Sequence, residues 1–210
     1  MDRRGRGTSG DADAYALDRE FADVSAVAEL LADEQGGPVD ALGYSYGGTC
    51  VLGAAALGAR FRRLVLYEPP GPQTVGDTWA DRVGVMVADG QVGRAVFSFL
   101  TEIIGLTPAE VEALRDAPGG RDVLSTAAAT LPREARALAG ADLAAAAEGV
   151  RQPALLLLGA ASPPWAGEIT RQLAATLPSA IVTEMAGVDH RALDTAPDLV
   201  TEAVIAFLDD

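Results

Sequence analysis

Outside the stretch from Thr74 to Gly149, three segments of the chain have sequence patterns typical of helices. From Leu17 to Glu34, apolar residues recur at steps of three and four, which predicts an amphipathic helix. The sequence Gly36-Gly37-Pro38 marks its end. Small residues from Thr49 to Ala59 predict a helix that can pack closely on a sheet, and Pro197 to Leu208 predicts a terminal amphipathic helix.

Four shorter segments are predicted to be strands, and they alternate with the helical segments. The clearest of them, Ala154–Leu158, has no polar alternation. Such a strand is typical of a parallel sheet that is covered on both faces. We therefore predict an α/β fold in which a mostly parallel sheet is flanked by helices. The predicted strands are Val39–Gly43, Leu64–Tyr67, Ala154–Leu158 and Ala180–Met185.

The stretch from Thr74 to Gly149 breaks this alternation. It carries helical patterns and no convincing strand, and an all-helical insertion between two strands predicts a cap over one edge of the sheet. We therefore divide the chain into an α/β core over residues 1–72 and 150–210 and a helical cap, or lid, over residues 73–149. The helical patterns are Trp79–Ala88, Val92–Ile104, Pro108–Arg115, Val123–Ala129 and Arg133–Leu143.

The composition indicates a globular protein and excludes several classes of partner. Hydrophobic residues make up 49% of the 210 residues and charged residues 22%. A net charge of −14 argues against nucleic acid or an anionic membrane surface as a partner. A single Cys and a single His exclude a disulfide framework and argue against a His/Cys zinc site. No signal peptide is visible, so we expect a cytoplasmic protein, and basic residues that are all Arg favour GC-rich bacterial coding.

The sequence Gly43-Tyr44-Ser45-Tyr46-Gly47 matches the G-x-S-x-G pattern. In that pattern the Ser lies at a strained turn between a strand and a helix, and small flanking residues let the two elements approach. The predicted strand before the motif and the small-residue helix after it supply this context. Ser45 is therefore a candidate nucleophile. The alternative is a glycine-rich turn in which Ser45 only caps the helix.

His190 is the one candidate for the base that a nucleophilic serine needs, since it is the only His in the chain. It follows the predicted strand Ala180–Met185. This late position fits the chain order serine, acid, histidine. The alternative is a core or surface imidazole with no chemical role.

Together these segments resemble the α/β-hydrolase fold family, and the resemblance covers essentially the whole chain. Residues 2–10 resemble the loop after the family's fourth strand, residues 42–48 the nucleophile elbow, and residues 64–70 the sixth strand and its exit. Residues 155–159 resemble the seventh strand, and residues 187–190 the histidine loop. The resemblance implies a helical lid between the sixth and seventh strands, where the helical patterns lie.

The position of the acid departs from the family pattern. The family usually carries it a few residues after the glycine of the seventh strand, but Gly159–Pro164 contains no carboxylate. Glu68 is the better candidate, because strand ends on this face converge on the site. The alternative is that Glu68 only binds loop amides beside Pro69-Pro70. Three other carboxylates are weaker candidates for the acid. Glu168 would start a helix, where a negative charge is favourable without any catalytic role. Asp189 is adjacent to His190, and neighbouring side chains in an extended loop diverge, whereas Asp194 is better explained as a cap of the last helix.

The family's oxyanion hole uses two backbone N–H groups. Tyr46 can supply the one that follows the nucleophile. The other comes from the loop after the third strand, whereas this chain begins at the end of the fourth. We therefore expect a fold that lacks its N-terminal strands, with Val39–Gly43 as an exposed apolar edge open to self-association. Either the gene start was placed too late, or the short chain is inactive or completed by a partner.

We interpret the chain as a serine hydrolase that acts on a small, largely apolar ester or amide. Ser45 attacks the carbonyl carbon, His190 moves the proton and Glu68 orients the imidazole. Tyr44 and Trp165 are candidate substrate-binding residues. No metal or organic cofactor is implied. The alternatives are a catalytically inactive protein of truncated α/β-hydrolase fold, and a C–C hydrolase or cofactor-free haloperoxidase-like enzyme on the same fold.

Overall fold

The computed structural model describes residues 1–12, 14–120 and 128–209. The chain folds into two compact units. The larger unit consists of Asp18–Gly71 and Asp142–Asp210, and the smaller of Met1–Leu17 and Pro72–Ala141. The assignment of residues 73–149 as a cap stays a prediction. Among the described residues, no helix combines the length and the apolar character that a membrane crossing needs.

In chain order the described elements are α1 (Leu17–Gln35), β1 (Val39–Tyr44), α2 (Tyr46–Ala56), β2 (Phe61–Tyr67), α3 (Asp77–Ala88), α4 (Val92–Ser98), a π-helical turn (Phe99–Ile103), α5 (Pro108–Asp116), α6 (Leu131–Ala139), α7 (Leu143–Gly149), β3 (Ala154–Gly159), α8 (Pro164–Thr176), β4 (Ala180–Met185), α9 (Ala192–Thr195) and α10 (Pro197–Asp209).

The strands form a four-stranded parallel sheet in the order β1-β2-β3-β4. This confirms the predicted α/β fold, and each strand covers its predicted segment. The register puts Tyr44 of β1 beside Tyr67 of β2, and Tyr67 beside Leu157 of β3. β1 and β2 therefore end level with each other, whereas β3 continues to Gly159. The carboxyl ends of strands are where open parallel sheets place their sites.

The two central strands, β2 and β3, are largely buried, which explains why their sequences show no alternation of apolar and polar residues. The side chains of Leu64–Tyr67 on β2 and Ala154–Leu157 on β3 are no more than 3% exposed, because helices cover both faces of the sheet. On one face, Val65 and Leu155 belong to a core cluster with Phe207 of the last helix. Burying an aliphatic side chain of this size contributes about 1.5–3 kcal/mol, so this strand pair anchors the larger unit.

The outer strands are less buried than the central ones. β1 and β4 each pair with one strand among the described residues. Leu42 on β1 is 46% exposed, and on β4 only Met185 is buried while Ile181 is 55% exposed. Predicting Ala180–Met185 as a strand is therefore right, but its apolar composition does not reveal that it is an edge strand.

The smaller unit is helical in its described residues, apart from its loops. The patterns Trp79–Ala88 and Pro108–Arg115 correspond to α3 and α5, and the pattern Val92–Ile104 is α4 continued by the π-helical turn. The pattern Arg133–Leu143 is split instead: α6 ends at Ala139, and Gly140 interrupts it before α7 begins in the larger unit. The pattern Val123–Ala129 lies largely outside the described residues.

Within the smaller unit, N-terminal arginines hold a buried carboxylate of α6. Arg6 donates twice to Glu134, from Nε to Oε1 (3.1 Å) and from a terminal nitrogen to Oε2 (2.7 Å), and Arg3 donates to Oε1 at 3.0 Å. Burial opposes ionisation of Glu134, but the hydrogen bond from Arg6 and the two positive charges outweigh it and lower the pKa of its carboxyl. These arginines therefore brace a loop against a carboxylate.

Candidate active site

Ser45 occupies a single-residue turn between β1 and α2. Its φ of 49° and ψ of −127° lie in a strained region that costs on the order of 1–3 kcal/mol for a residue with a side chain. The Ser45 N–H donates to the carbonyl of Tyr67 at 2.9 Å, which ties the turn to the neighbouring strand. The Ser45 side chain makes no capping hydrogen bond to the described residues of α2, so the capping alternative is wrong.

Gly43 is needed because the helix approaches the strand closely at the elbow. A Cβ at position 43 would lie 2.5 Å from the Cα of Gly48 and 2.8 Å from the carbonyl oxygen of Gly47. A Cβ at Gly48 would meet the carbonyl oxygen of Gly43 at 3.1 Å. Gly47 differs, since a Cβ there would meet nothing within 4 Å. Only one of the two glycines in the G-x-S-x-G pattern is therefore fixed by packing.

Ser45, His190 and Glu68 come together at the carboxyl end of the sheet. The imidazole Nε2 of His190 lies 3.0 Å from Ser45 Oγ, and its Nδ1 lies 2.6 Å from Glu68 Oε2. An ionised carboxylate can only accept hydrogen bonds, so Nδ1 carries the ring proton and Nε2 accepts from the serine hydroxyl. His190 is 2% exposed and Glu68 is 0% exposed, whereas Ser45 is only partly buried.

Glu68 is held by more than the histidine. It follows the last residue of β2 with φ 44°, a left-handed backbone like that of Ser45. Its Oε1 accepts from the Gly159 N–H at 2.7 Å and from the Ser162 hydroxyl at 2.6 Å. Two donors on one oxygen leave Oε2 directed at His190, so the carboxylate is fixed by three groups.

Ser162 is a residue of the site that the sequence reasoning missed. It lies in the segment after β3 where the family usually carries its acid, and a hydroxyl there does not by itself indicate a contact with a carboxylate on another strand. The signal was present in the sequence: a serine at the position of an expected acid can donate to a carboxylate that has moved to a neighbouring strand.

The remaining carboxylates have other surroundings. Asp189 accepts from the Arg191 N–H and from its guanidinium, both at 2.8 Å. Although partial burial opposes it, these hydrogen bonds and the Arg191 charge lower the pKa of Asp189. Glu168, on α8, and Asp194, on α9, are exposed. Of the carboxylates considered in the sequence, Glu68 is the one that the structure brings to the imidazole.

Aromatic rings surround His190. The ring centroid of Trp165 lies 5.2 Å from that of the imidazole, with its plane at 69°, and the Tyr44 ring lies 5.3 Å away. Trp165 is 9% exposed, and Tyr44 is half-buried. The Tyr44 hydroxyl donates to the His190 carbonyl at 2.9 Å. Both predicted substrate-binding residues therefore lie beside the base, and their role in binding stays a prediction.

Tyr46 is the first residue of α2 and directly follows Ser45. The N-terminal end of a helix carries a partial positive charge, which favours an anion beside it. No group of three or more His, Cys, Asp or Glu side chains in the described part of the chain is arranged to hold a metal ion.

Comparison with known proteins identifies the family. The sequence model of the alpha/beta hydrolase family matches residues 1–203. The chain therefore belongs to the alpha/beta hydrolase family, which supports a general hydrolase function. A comparison with curated protein sequences gave no significant match.

Solved structures agree with this assignment. An alpha/beta hydrolase from Sphaerobacter thermophilus DSM 20745 is 33% identical, with a TM-score of 0.80 over 99% of this chain and 80% of that one. An enol-lactonase from Burkholderia xenovorans LB400 is 24% identical, with a TM-score of 0.80 over 100% of this chain and 79% of that one. A bromoperoxidase from Bacillus anthracis is 19% identical, with a TM-score of 0.73 over 100% and 80% of the two chains. The last two show the fold alone.

Proposed function

We propose that this protein is a serine hydrolase whose nucleophile is Ser45. The observation that carries the proposal is the continuous chain of hydrogen bonds from Ser45 Oγ through the His190 ring to Glu68, at 3.0 and 2.6 Å. A serine activated by a base that is itself oriented by a third group is the arrangement of a covalent hydrolase.

The geometry supports a two-step reaction. Ser45 Oγ attacks the carbonyl carbon of the substrate while Nε2 of His190 takes the hydroxyl proton, and Glu68 stabilises the imidazolium that forms. The imidazolium then gives that proton to the leaving alcohol or amine, which departs and leaves an acyl group on Ser45. A water attacks the acyl carbon in the second step, again with its proton passing through His190. The products are a carboxylic acid and the free serine.

Tyr46 would donate its backbone N–H to the oxyanion of each tetrahedral intermediate. Its position at the start of α2 adds the partial positive charge of the helix end to that hydrogen bond. A donor placed where negative charge develops is worth about 10²–10³ in rate. We therefore expect the Tyr46 N–H to contribute on this scale.

We further propose a small, largely apolar ester or amide as the substrate. The rings of Trp165 and Tyr44 beside the imidazole offer apolar surface next to the reacting atoms. The net charge of −14 disfavours nucleic acid and anionic membranes as partners, and we place the enzyme in the cytoplasm. No specific observation favours C–C bond hydrolysis or haloperoxidase-like chemistry over acyl transfer.

Labelling with a fluorophosphonate probe tests the proposal. We expect the probe to modify the wild-type chain on the peptide that contains Ser45, and Ser45→Ala to abolish the adduct. Ser25→Ala is a matched control, because the Ser25 hydroxyl donates to the Phe21 carbonyl within α1. Labelling that persists in Ser45→Ala, or a folded wild-type chain that is not labelled, would contradict the proposal.

A further inference from the structure

The ends of β1 and β2 repeat the same two-residue arrangement. On β1, Tyr44 precedes Ser45, and on β2, Tyr67 precedes Glu68. Tyr44 and Tyr67 are register partners, with their rings edge to face at 5.7 Å. The residue that follows each tyrosine has positive φ, 49° in Ser45 and 44° in Glu68. Each strand therefore ends in a tyrosine followed by a reactive or orienting side chain on a left-handed backbone.

The two phenols bind the backbone that carries the base. Tyr44 donates its hydroxyl proton to the carbonyl of His190 at 2.9 Å, and Tyr67 donates to the carbonyl of Asp189 at 2.6 Å. The preceding carbonyl, of Val188, accepts from the Ala161 N–H at 2.9 Å, just beyond β3. Three consecutive carbonyls of the histidine loop are thus held by donors at the ends of three adjacent strands.

Both phenol hydroxyls remain protonated, so both can act as hydrogen-bond donors. Burial raises the pKa of the Tyr44 hydroxyl, and nearby carboxylates including Asp194 and Glu68 add to the rise. Burial likewise raises the pKa of the Tyr67 hydroxyl, with Glu68 adding to it. Neither hydroxyl loses its proton over the pH range in which an enzyme is assayed, so both hydrogen bonds persist.

We propose that Tyr44 and Tyr67 are positioning residues that hold the backbone of Asp189 and His190, and so keep the imidazole in line between Ser45 and Glu68. This inference rests on the proposed serine hydrolase function. It goes beyond it by giving the two tyrosines a role that acts through His190 and does not require contact with the substrate. Each tyrosine lies one residue before a member of the triad, and the two are register partners in the sheet. The strand register therefore sets the positions of both phenols beside the histidine loop.

The two hydrogen bonds are not equivalent. The Asp189 carbonyl also accepts from the Ala192 N–H at 3.1 Å, so it keeps a donor when the Tyr67 hydroxyl is removed. We therefore expect the loss at Tyr44 to be the greater. Removing a buried hydrogen bond corresponds to a factor of roughly 3–10. We expect kcat to fall about 10-fold in Tyr44→Phe and about 3-fold in Tyr67→Phe, with KM nearly unchanged. The double variant should lose at least as much as Tyr44→Phe, and because the two residues are neighbours their effects need not multiply.

Tyr→Phe variants test this inference with two readouts. The first is kcat and KM on a p-nitrophenyl ester. The second is the proton NMR signal of the His190 Nδ1–H, which is unambiguous because the chain contains one His. We expect this resonance to exchange faster with water in both single variants and to weaken or disappear in the double variant. Tyr15→Phe, in the smaller unit, is the control that should leave both readouts unchanged.

The two readouts separate failure of this inference from failure of the proposed function. A fall in kcat with KM retained, together with faster exchange of the His190 proton, supports the inference. If kcat and the exchange rate of the His190 proton are unchanged and only the melting temperature falls, the phenols contribute to packing alone. That result would overturn the inference. A wild-type chain without esterase activity or labelling overturns the proposed function instead, and the exchange measurement then decides whether the phenols hold His190.

Discussion

The hydroxyl of Ser162 lies 2.6 Å from Oε1 of Glu68 and donates to it. The two residues come from different strand exits, Ser162 after β3 and Glu68 after β2. In the proposed mechanism the acid therefore extends from one strand, and a donor beyond the next strand holds it. This arrangement would let the proposed triad form without a carboxylate in the segment Gly159–Pro164.

Replacing Ser162 by Ala should lower kcat without raising KM. Glu68 would lose one of the two donors on Oε1 and with it part of its orientation towards His190. A charge-assisted hydrogen bond lost at this point corresponds to a fall of about 10-fold. Ser162→Thr, which keeps the hydroxyl, should retain more activity. In a Glu68→Gln background the Ser162→Ala change should have little further effect, and an equal loss in both backgrounds would contradict a role through Glu68.

The assignment of Glu68 as the acid predicts that replacing Glu68 and replacing Asp189 lower kcat to different extents. Glu68 contacts the imidazole in space, whereas Asp189 precedes His190 in the sequence. Glu68→Gln should lower kcat by about 10²–10⁴, because the amide no longer fixes the Nδ1–H tautomer or stabilises the imidazolium. Asp189→Asn should cost far less, since Asp189 binds Arg191. Steady-state kinetics of the two variants distinguish them. A larger loss in Asp189→Asn would show that the acid has been misassigned.

The two glycines of the elbow motif should respond oppositely to Ala. Gly43→Ala forces a Cβ to within 2.5 Å of the Gly48 backbone, so the strand and helix must separate, at a cost of about 1–3 kcal/mol or more. Gly47 lies in α2 with open space around it, and Ala there should stabilise the helix by roughly 0.5–1 kcal/mol. Denaturant unfolding measures both. Equal destabilisation by the two substitutions would contradict the packing explanation.

The ion-pair network around Glu134 predicts an acid-sensitive contribution to stability. The pKa of Glu134 is lowered in the folded protein, so its contribution is fully present above the unfolded-state pKa and is lost as pH falls through the lower folded value. The free energy of unfolding of the wild type should therefore begin to fall as the pH drops below about 5 and should continue to fall at lower pH. In Glu134→Gln this part of the fall should be missing, and the two proteins should converge at acid pH. Parallel curves would contradict it.

Local patterns were sufficient to predict much of the fold, and they pointed to the three side chains that the structure brings together in the candidate site. The strands β2 and β3 have continuous apolar runs because both faces are buried, and the elbow is specified by a short motif. Ser162 and the hydroxyls of Tyr44 and Tyr67 were not predicted as partners of Glu68 and the histidine loop. Their roles depend on strand order and register, which bring together residues far apart in the sequence.

Two further features of the fold, one helix boundary and the exposure of one strand, were not predicted from the sequence patterns, for physical reasons. The pattern Arg133–Leu143 suggests one helix, but Gly140 separates α6 from α7, which belongs to the other unit. The apolar segment of β4 suggests burial, but as an edge strand it leaves Ile181 exposed. In both cases the local composition is compatible with two structures, and tertiary packing selects between them.

The most direct test of the proposed mechanism is whether an acyl group forms on Ser45 during turnover. With a short-chain p-nitrophenyl ester, we expect a burst of about one equivalent of p-nitrophenol per chain, if deacylation is slower than acylation. Acid quenching followed by mass analysis should then find the acyl group on the peptide that contains Ser45. An acyl adduct elsewhere, or ester hydrolysis at the wild-type rate in Ser45→Ala, would contradict a mechanism based on Ser45, His190 and Glu68.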